Sequence, residues 1–417
     1  MPAADPYADS GSDDDADPEL LELLRKSLGL GNEPSKGQPP ETKVLESAQY
    51  VFDEAIDVAL SPQQTKEAAE TIWRLMQKKE YSTQTWSEHE LHPKTKDEST
   101  MDFIFTMDLL NFSFWSEEPD EAKRFAVEYR GKRWTGYWSL VAALQRALEE
   151  DIPITDPDFW VDETECTEEV LKHVFRSATD EEIPLFQERV QCLREAGEVL
   201  STEFGGSFAN CIDSANYSAA GLVNLLAENF ACFRDEIVFH GRRVRLYKRA
   251  QILVADLWAC FNGEDFGEFH DIDKITILSH PSDAAPARLP ASLPPLESHI
   301  RSRKPLPSGS TWEIELRGTS IWCVELIKRE IEKRHPEVRM NGNSKPTQQD
   351  ESHSATKTPE NNHTEKPEEQ PENAEMPKRT YGINAILIDF FLYDTMKNLE
   401  AEHNETIPHH RTRSIWY

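Results

Sequence analysis

The chain has 417 residues, room for one large domain or two ordinary ones, and its 38% hydrophobic content can furnish a sizeable core. Its 76 acidic residues against 45 basic ones leave a formal net charge of −31, which argues against direct binding along DNA or RNA, since that needs a basic stripe. No run approaches the ~20 apolar residues of a membrane span, and no apolar signal region opens the chain, so a soluble cytoplasmic protein is expected, with the nucleus also open to it.

In chain order, residues 1–42 are acidic and then Gly/Pro-bearing. They are expected to form a disordered tail apart from a short helix around "PELLELLRKSLGL". "HELHP", from His89 to Pro93, precedes "MDFIFTMDLLNFSFWSEE". A core explains most of those aromatics, yet Asn111, Ser113 and Ser116 interleave with Phe112, Phe114 and Trp115, as in a pocket that stacks a flat heterocycle. "RFAVEYRGKRWTGY" predicts a hairpin turning at Arg130 and Gly131. "GYWSLVAALQRALEE" carries Trp138, Val141, Leu144 and Leu148 on one helical face, and "SAAGLVNLLAENFACF" repeats the pattern behind Ser218 as N-cap.

"LYKRAQILVADLWACF" predicts a helix with Lys248 and Arg249 at its start, the wrong end for cations by the helix dipole, so an anionic partner is expected there. After Leu278 the patterning lapses into Ala, Pro and Ser, and it resumes densely only near Leu316. "TWEIELRG" alternates like an extended edge, and "TSIWCVELIKREIEKR" reads as helix. Residues 340–380 lack aromatics and nearly all aliphatics, so they are expected to be a disordered insert within a single domain made of 43–339 and 381–417. The fold class is mainly α with minor β. The six cysteines stand singly among apolar residues, as buried free thiols of a reducing compartment do.

"AILIDFFLYD" places Asp389 and Asp394 in an otherwise apolar helix, where carboxylates need partners. Salt bridges and a ligand site both answer that need. The segment "PHHRTRSIWY" ends in large apolar residues and is expected to tuck into the fold. Its Arg411 and Arg413 share a face if extended, where they pair with carboxylates or hold a phosphate. No ligand cluster supports a metal at His409 and His410, and no nucleotide loop, zinc spacing or nucleophile elbow is present.

The segments "TMDLLNFSFWS", "GYWSLVAALQRALEEDIPIT", "FGGSFANCI", "YKRAQILVADLWACF", "DIDKITI", "EIELRGTSIWCVELI", "NAILIDFFLYD" and "PHHRTRSIWY" together resemble the queuosine salvage protein family, over residues 45–278 and 312–417. The resemblance implies a helical fold similar to DNA glycosylases and hydrolysis of queuosine 5′-phosphate to queuine and ribose 5-phosphate. The implied partner is a small-molecule substrate, with no cofactor and no metal. It also implies that His89, Asp389 and Asp394 line the base pocket. Lys248, Arg411 and Arg413 are candidates for the phosphate from their chemistry alone.

Where the family continues Phe-Ala-Asp-Tyr-Arg after "DIDKIT", this chain has Leu278, Ser279 and His280 in the first three positions, and Asp283 follows three residues later on a Pro-bounded segment not expected to aim it identically. Leu278 and Ser279 are then expected to border the base, and His280 stands at the position of the catalytic Asp. A neutral imidazole cannot stabilise an oxocarbenium-like sugar, and a cationic one opposes it. As written, the chain is expected to be inactive or nearly so. Either it is a non-catalytic ligand-binding pseudoenzyme or scaffold, or residues 279–295 arise from a misplaced exon boundary or frameshift, the favoured account.

Overall fold

A computed structural model describes residues 39–79, 89–276, 291–292, 294–338, 382–401 and 408–416. The short helix expected near residue 20 and the 340–380 insert lie outside the described residues, as do Leu278, Ser279, His280 and Asp283.

The first part of the chain forms α1 (Val44–Glu54), β1 (Val58–Ala59), α2 (Pro62–Lys79), α3 (Glu98–Leu109), β2 (Val127–Tyr129), β3 (Lys132–Trp134) and α4 (Tyr137–Glu149). There follow α5 (Pro157–Val161), α6 (Glu168–Val174), α7 (Phe186–Glu203), α8 (Ala209–Ser214), α9 (Ala219–Asn229), β4 (Glu236–Phe239), β5 (Arg242–Arg245) and α10 (Lys248–Cys260). The last elements are β6 (Ala291–Ser292), α11 (Pro294–Arg301), α12 (Thr311–Arg334) and α13 (Ala385–Ala401). The architecture is mainly α; the sheets are antiparallel pairs, β2 with β3, β4 with β5 and β1 with β6. The β2–β3 hairpin turns where expected, with Arg130 and Gly131 both at positive φ (50° and 71°), the backbone of a tight primed turn.

Helix α3 begins at Asp97, whose carboxylate accepts the Thr100 N–H at 3.0 Å. It is buried on every side, through Met101, Phe103, Ile104, Phe105, Met107 and Leu109, so its last carbonyls cannot reach water. Two buried arginines take them instead. Arg249 donates to the carbonyls of Asp108 (3.1 Å), Leu109 (2.6 Å) and Cys232, while Arg189 donates to those of Leu110, Phe112 (2.5 Å) and Pro184 (3.0 Å). Arg249 is therefore spent on the backbone and is not an anion ligand. The same guanidiniums cover the ring faces expected to stack a heterocycle: Arg189 lies 4.3 Å from the Phe112 centroid and 5.1 Å from that of Phe114.

Helix α12 corrects the reading of "TWEIELRG" as an extended edge. Trp312, Ile314 and Leu316 do alternate with charges, but Glu313, Glu315 and Arg317 are buried as well, which erases the helical period. Arg317 pairs with Asp235 (3.1 Å) and Glu313 (3.2 Å), and Glu315 accepts the Ile56 and Asp57 N–H groups at 3.0 and 2.7 Å. Gly318 lets α1 approach; a Cβ there would meet Val51 at 2.5 Å. Packing also resumes earlier than the sequence suggests. The β6 strand pairs with β1, and α11, with prolines tolerated in its first turn, sends Leu296 and Ile300 into a small core with Val58, Leu306 and Leu316.

The helical face expected on α4 holds for Val141 and Leu144, while Leu148 is 36% exposed and Trp138 only half-buried. Ser218 caps α9, accepting the Gly221 N–H at 2.9 Å. All six cysteines are free and buried. Among the described residues, no helix is long and apolar enough to cross a membrane.

Candidate active site

The β2–β3 hairpin feeds directly into α4 and delivers Trp134, Tyr137 and Trp138 beside the 89–93 loop. The imidazole of His89 stacks on the Trp138 indole, ring centroids 3.3 Å apart and planes 15° apart, with the Trp134 edge at 5.8 Å. His89 Nδ1 accepts the Leu91 N–H at 3.2 Å, so in the neutral ring the proton sits on Nε2, which is left as a donor. Burial lowers the His89 pKa below its ordinary 6.5; Glu90 pulls it up and Lys94 and Lys132 push it down. A neutral donor at pH 7 is the result.

Beneath this stack, His92 Nε2 lies 2.8 Å from the Tyr137 hydroxyl, which in turn lies 2.9 Å from Met107 Sδ of α3. The buried Tyr137 phenol is held well above its ordinary pKa by burial first, then by Asp256, Asp108, Tyr393 and Cys260. Tyr393, which lies on α13 between Asp389 and Asp394, is thus within electrostatic reach of Tyr137. Both carboxylates are half-buried rather than enclosed, while Ile386, Leu387, Ile388, Phe391 and Leu392 anchor the helix in the core. The sequence singled out the two aspartates, and the family resemblance added His89. Both missed Tyr137 and His92, whose polar atoms meet only in three dimensions; the one hint was a Tyr at the head of an apolar helix.

Lys248 is half-buried at the first position of α10, where its backbone N–H donates to Asp235 Oδ2 at 3.3 Å. The neighbouring His410 is buried, and its pKa falls well below the ordinary value through burial first, then Lys248, His409 and Arg317. Lys248 and Arg317 are thus within electrostatic reach of a neutral imidazole, with the Asp235 carboxylate alongside. Arg411 and Arg413 face elsewhere: both guanidiniums lie over the Trp115 ring, at 5.5 and 3.6 Å from its centroid. The 408–416 segment is tucked in as expected, with Trp115 Nε1 donating to the Thr412 carbonyl at 3.0 Å and the Leu306 N–H to that of Arg411 at 2.6 Å.

Comparison with known proteins identifies the family. The family profile described as "Queuosine salvage protein" matches residues 91–417. A protein of Nematostella vectensis named queuosine 5′-phosphate N-glycosylase/hydrolase is 36% identical over 381 residues, 89% of this chain and 97% of that one. Proteins of the same name from Schizosaccharomyces pombe (35% identity; 90% of this chain, all of that one) and Sphaerobacter thermophilus (32%; 80% and 86%) are similar too.

Proposed function

Because the chain belongs to the queuosine salvage protein family, we propose that its pocket binds queuosine 5′-phosphate and that its fold serves hydrolysis of the N-glycosidic bond, releasing queuine and ribose 5-phosphate. The observation that carries this reading is the stack of His89 on Trp138, to which we add Asp389 and Asp394, half-buried on α13, as the carboxylates of the base site. That combination suits a flat heterocycle with a cationic side arm. Trp138 and His89 supply a π surface and a neutral Nε2–H donor for the base. Asp389 and Asp394 supply charge-assisted acceptors for queuine's amine and diol. Lys248, at the head of α10 beside His410, is the candidate for the 5′-phosphate, ahead of Arg411 and Arg413, whose guanidiniums are engaged with Trp115.

Hydrolysis adds water to C1′ as the base departs with a proton. The sugar passes through an oxocarbenium-like state that a carboxylate stabilises. A 7-deazapurine has no N7 to protonate, so leaving-group help must reach the base elsewhere, and a donor such as His89 Nε2 supplies it. The carboxylate is the part in question, since His280 stands at its position. That one substitution favours a second reading, a protein that holds the ligand without hydrolysing it. The net charge of −31 supports a small-molecule substrate over a nucleic acid, and the free thiols suit the cytoplasm. Incubation with queuosine 5′-phosphate and, separately, with queuosine-bearing tRNA, followed by assay of free queuine, tests both readings. Release from the nucleotide alone supports the enzyme; queuine binding without release supports the second reading.

A further inference from the structure

We propose that His92 and Tyr137 are positioning residues of the base site: the hydrogen bond between them sets the plane of the Trp138 indole, and with it the way His89 meets the ligand. The inference rests on reading that pocket as the base site. Trp138 is only half-buried, so core packing alone does not hold it. Three rings do: His89 on its face at 3.3 Å, His92 at 4.9 Å and 47°, and Tyr137 edge-on at 4.8 Å and 69°. Of these, Tyr137 is the fixed point, because its hydroxyl is tied both to Met107 of the buried helix α3 and to His92.

A phenol has a single proton. It goes either to Met107 Sδ, with His92 Nε2–H donating to the Tyr137 oxygen, or to His92 Nε2 itself, and in both cases the 2.8 Å contact ties the imidazole to α4. The 89–93 loop is then pinned to α4 twice, through this bond and through Gln145 Nε2 donating to the Leu91 carbonyl at 3.0 Å. Lys94 Nζ closes the loop on the His89 carbonyl at 2.6 Å. Tyr137→Phe removes this bond from an imidazole that is only 6% exposed and so loosens its tie to α4. The loop follows, His89 slides off the indole, and the burial that depresses its pKa is relieved. The charged groups around His89 (Glu90, Lys94, Lys132) and those facing Tyr137 (Asp108 on α3, Asp256 and Cys260 on α10, Tyr393 on α13) all remain, so a change in His89 titration reports its placement.

The test is an NMR titration of the His89 imidazole in the ligand-free full chain, assigned with His89→Gln, together with calorimetric binding of queuine. Wild type should titrate below 6.5. Tyr137→Phe should shift the midpoint up toward 6.5 and weaken queuine about tenfold. His92→Ala, which breaks the bond from the other side, should do the same and decides the matter if Tyr137→Phe fails to fold. His92→Gln, which keeps an N–H for Tyr137, should stay near wild type. An unmoved His89 midpoint in folded Tyr137→Phe or His92→Ala overturns the proposal. If the midpoint moves but wild type does not bind queuine, the base-site reading falls and the positioning relation stands.

Discussion

The imidazole of His89 lies flat on the indole of Trp138, with ring centroids 3.3 Å apart. A histidine kept neutral by burial against an aromatic face donates from Nε2 without carrying charge; on gaining a proton it still donates, but it becomes a cation and its Nδ1 can no longer accept from Leu91. Queuine affinity should therefore be flat above pH 6.5 and fall below it, as the protonated ring comes to repel the cationic amine. Trp138→Leu should start that fall at a higher pH and cost about 0.5–1.5 kcal/mol of binding at pH 7.5, roughly a threefold to tenfold loss. Calorimetry across pH 5.5–8 checks both the limb and the size.

Arg189→Met should be among the most damaging single changes. Its guanidinium is fully buried and spent on the carbonyls of Pro184, Leu110 and Phe112, so methionine fills the volume but leaves acceptors with no donor. A loss of about 2–5 kcal/mol is expected, measured by urea denaturation. A variant within 1 kcal/mol of wild type, by the same order of estimate, would mean that water reaches these carbonyls.

Asp108 predicts a pH-dependent stability. It is fully buried, its Oδ1 accepts from Asn111 at 3.2 Å, its Oδ2 has no hydrogen-bond partner among the described residues, and burial pushes its pKa up to about 7. Because the folded value lies above the unfolded one, ionisation favours the unfolded chain, and stability drops as pH rises from about 4 to 7. Asp108→Asn removes this dependence and keeps an acceptor for Asn111. It should gain on wild type by on the order of 2–3 kcal/mol more at pH 8 than at pH 5, read from denaturation at the two pH values.

Asp389→Asn and Asp394→Asn should each weaken queuine more than unmodified 7-deazaguanine. A charge-assisted bond to the amine or diol is worth roughly 1.5–3 kcal/mol, about tenfold to a hundredfold in affinity. Equal losses for the two ligands would make these carboxylates structural.

Residues 279–295 test the expectation that the chain as written is inactive. If a misplaced exon boundary created them, transcript sequencing across the junction should recover an Asp followed by an aromatic and an Arg. Protein made in that frame should release queuine while the chain as written does not. His280→Asp alone should restore little, because a Pro-rich neighbourhood is not built to hold a carboxylate within about 0.5 Å of its productive position. Hydrolysis by the unaltered chain would shift the catalytic role to Asp283, Asp389 or Asp394.

What the sequence made legible was whatever local chemistry determines. The Arg130–Gly131 turn, the Ser218 cap and the helices of "YKRAQ" and "AILIDFF" needed only their own residues. Helix α12 was misread at its start because Glu313, Glu315 and Arg317 looked like a solvent face, and only their distant partners Asp235, Ile56 and Asp57 reveal them as interior. The aromatics of "NFSFW" misled in the same way, since the cations covering them come from Arg189 and Arg413. At the candidate site, His89, Asp389 and Asp394 stood out by residue type. The Tyr137–His92 bond joins positions 45 residues apart and has no signature in either segment.

The contact between Glu315 and the Ile56 N–H joins residues 259 positions apart, and Gly318 packs against Val51 across a similar interval. A ribosome adding about 5–20 residues per second needs roughly 10–50 s to travel from one to the other. For most of that interval α1 lacks the α12 surface that takes Val51, although the β4–β5 hairpin, which meets it at Ser47 and Tyr50, is made sooner. The early part of the chain therefore waits on the late part, and a folding helper that shields a short apolar helix for tens of seconds would matter more to the yield of this protein than to its final stability.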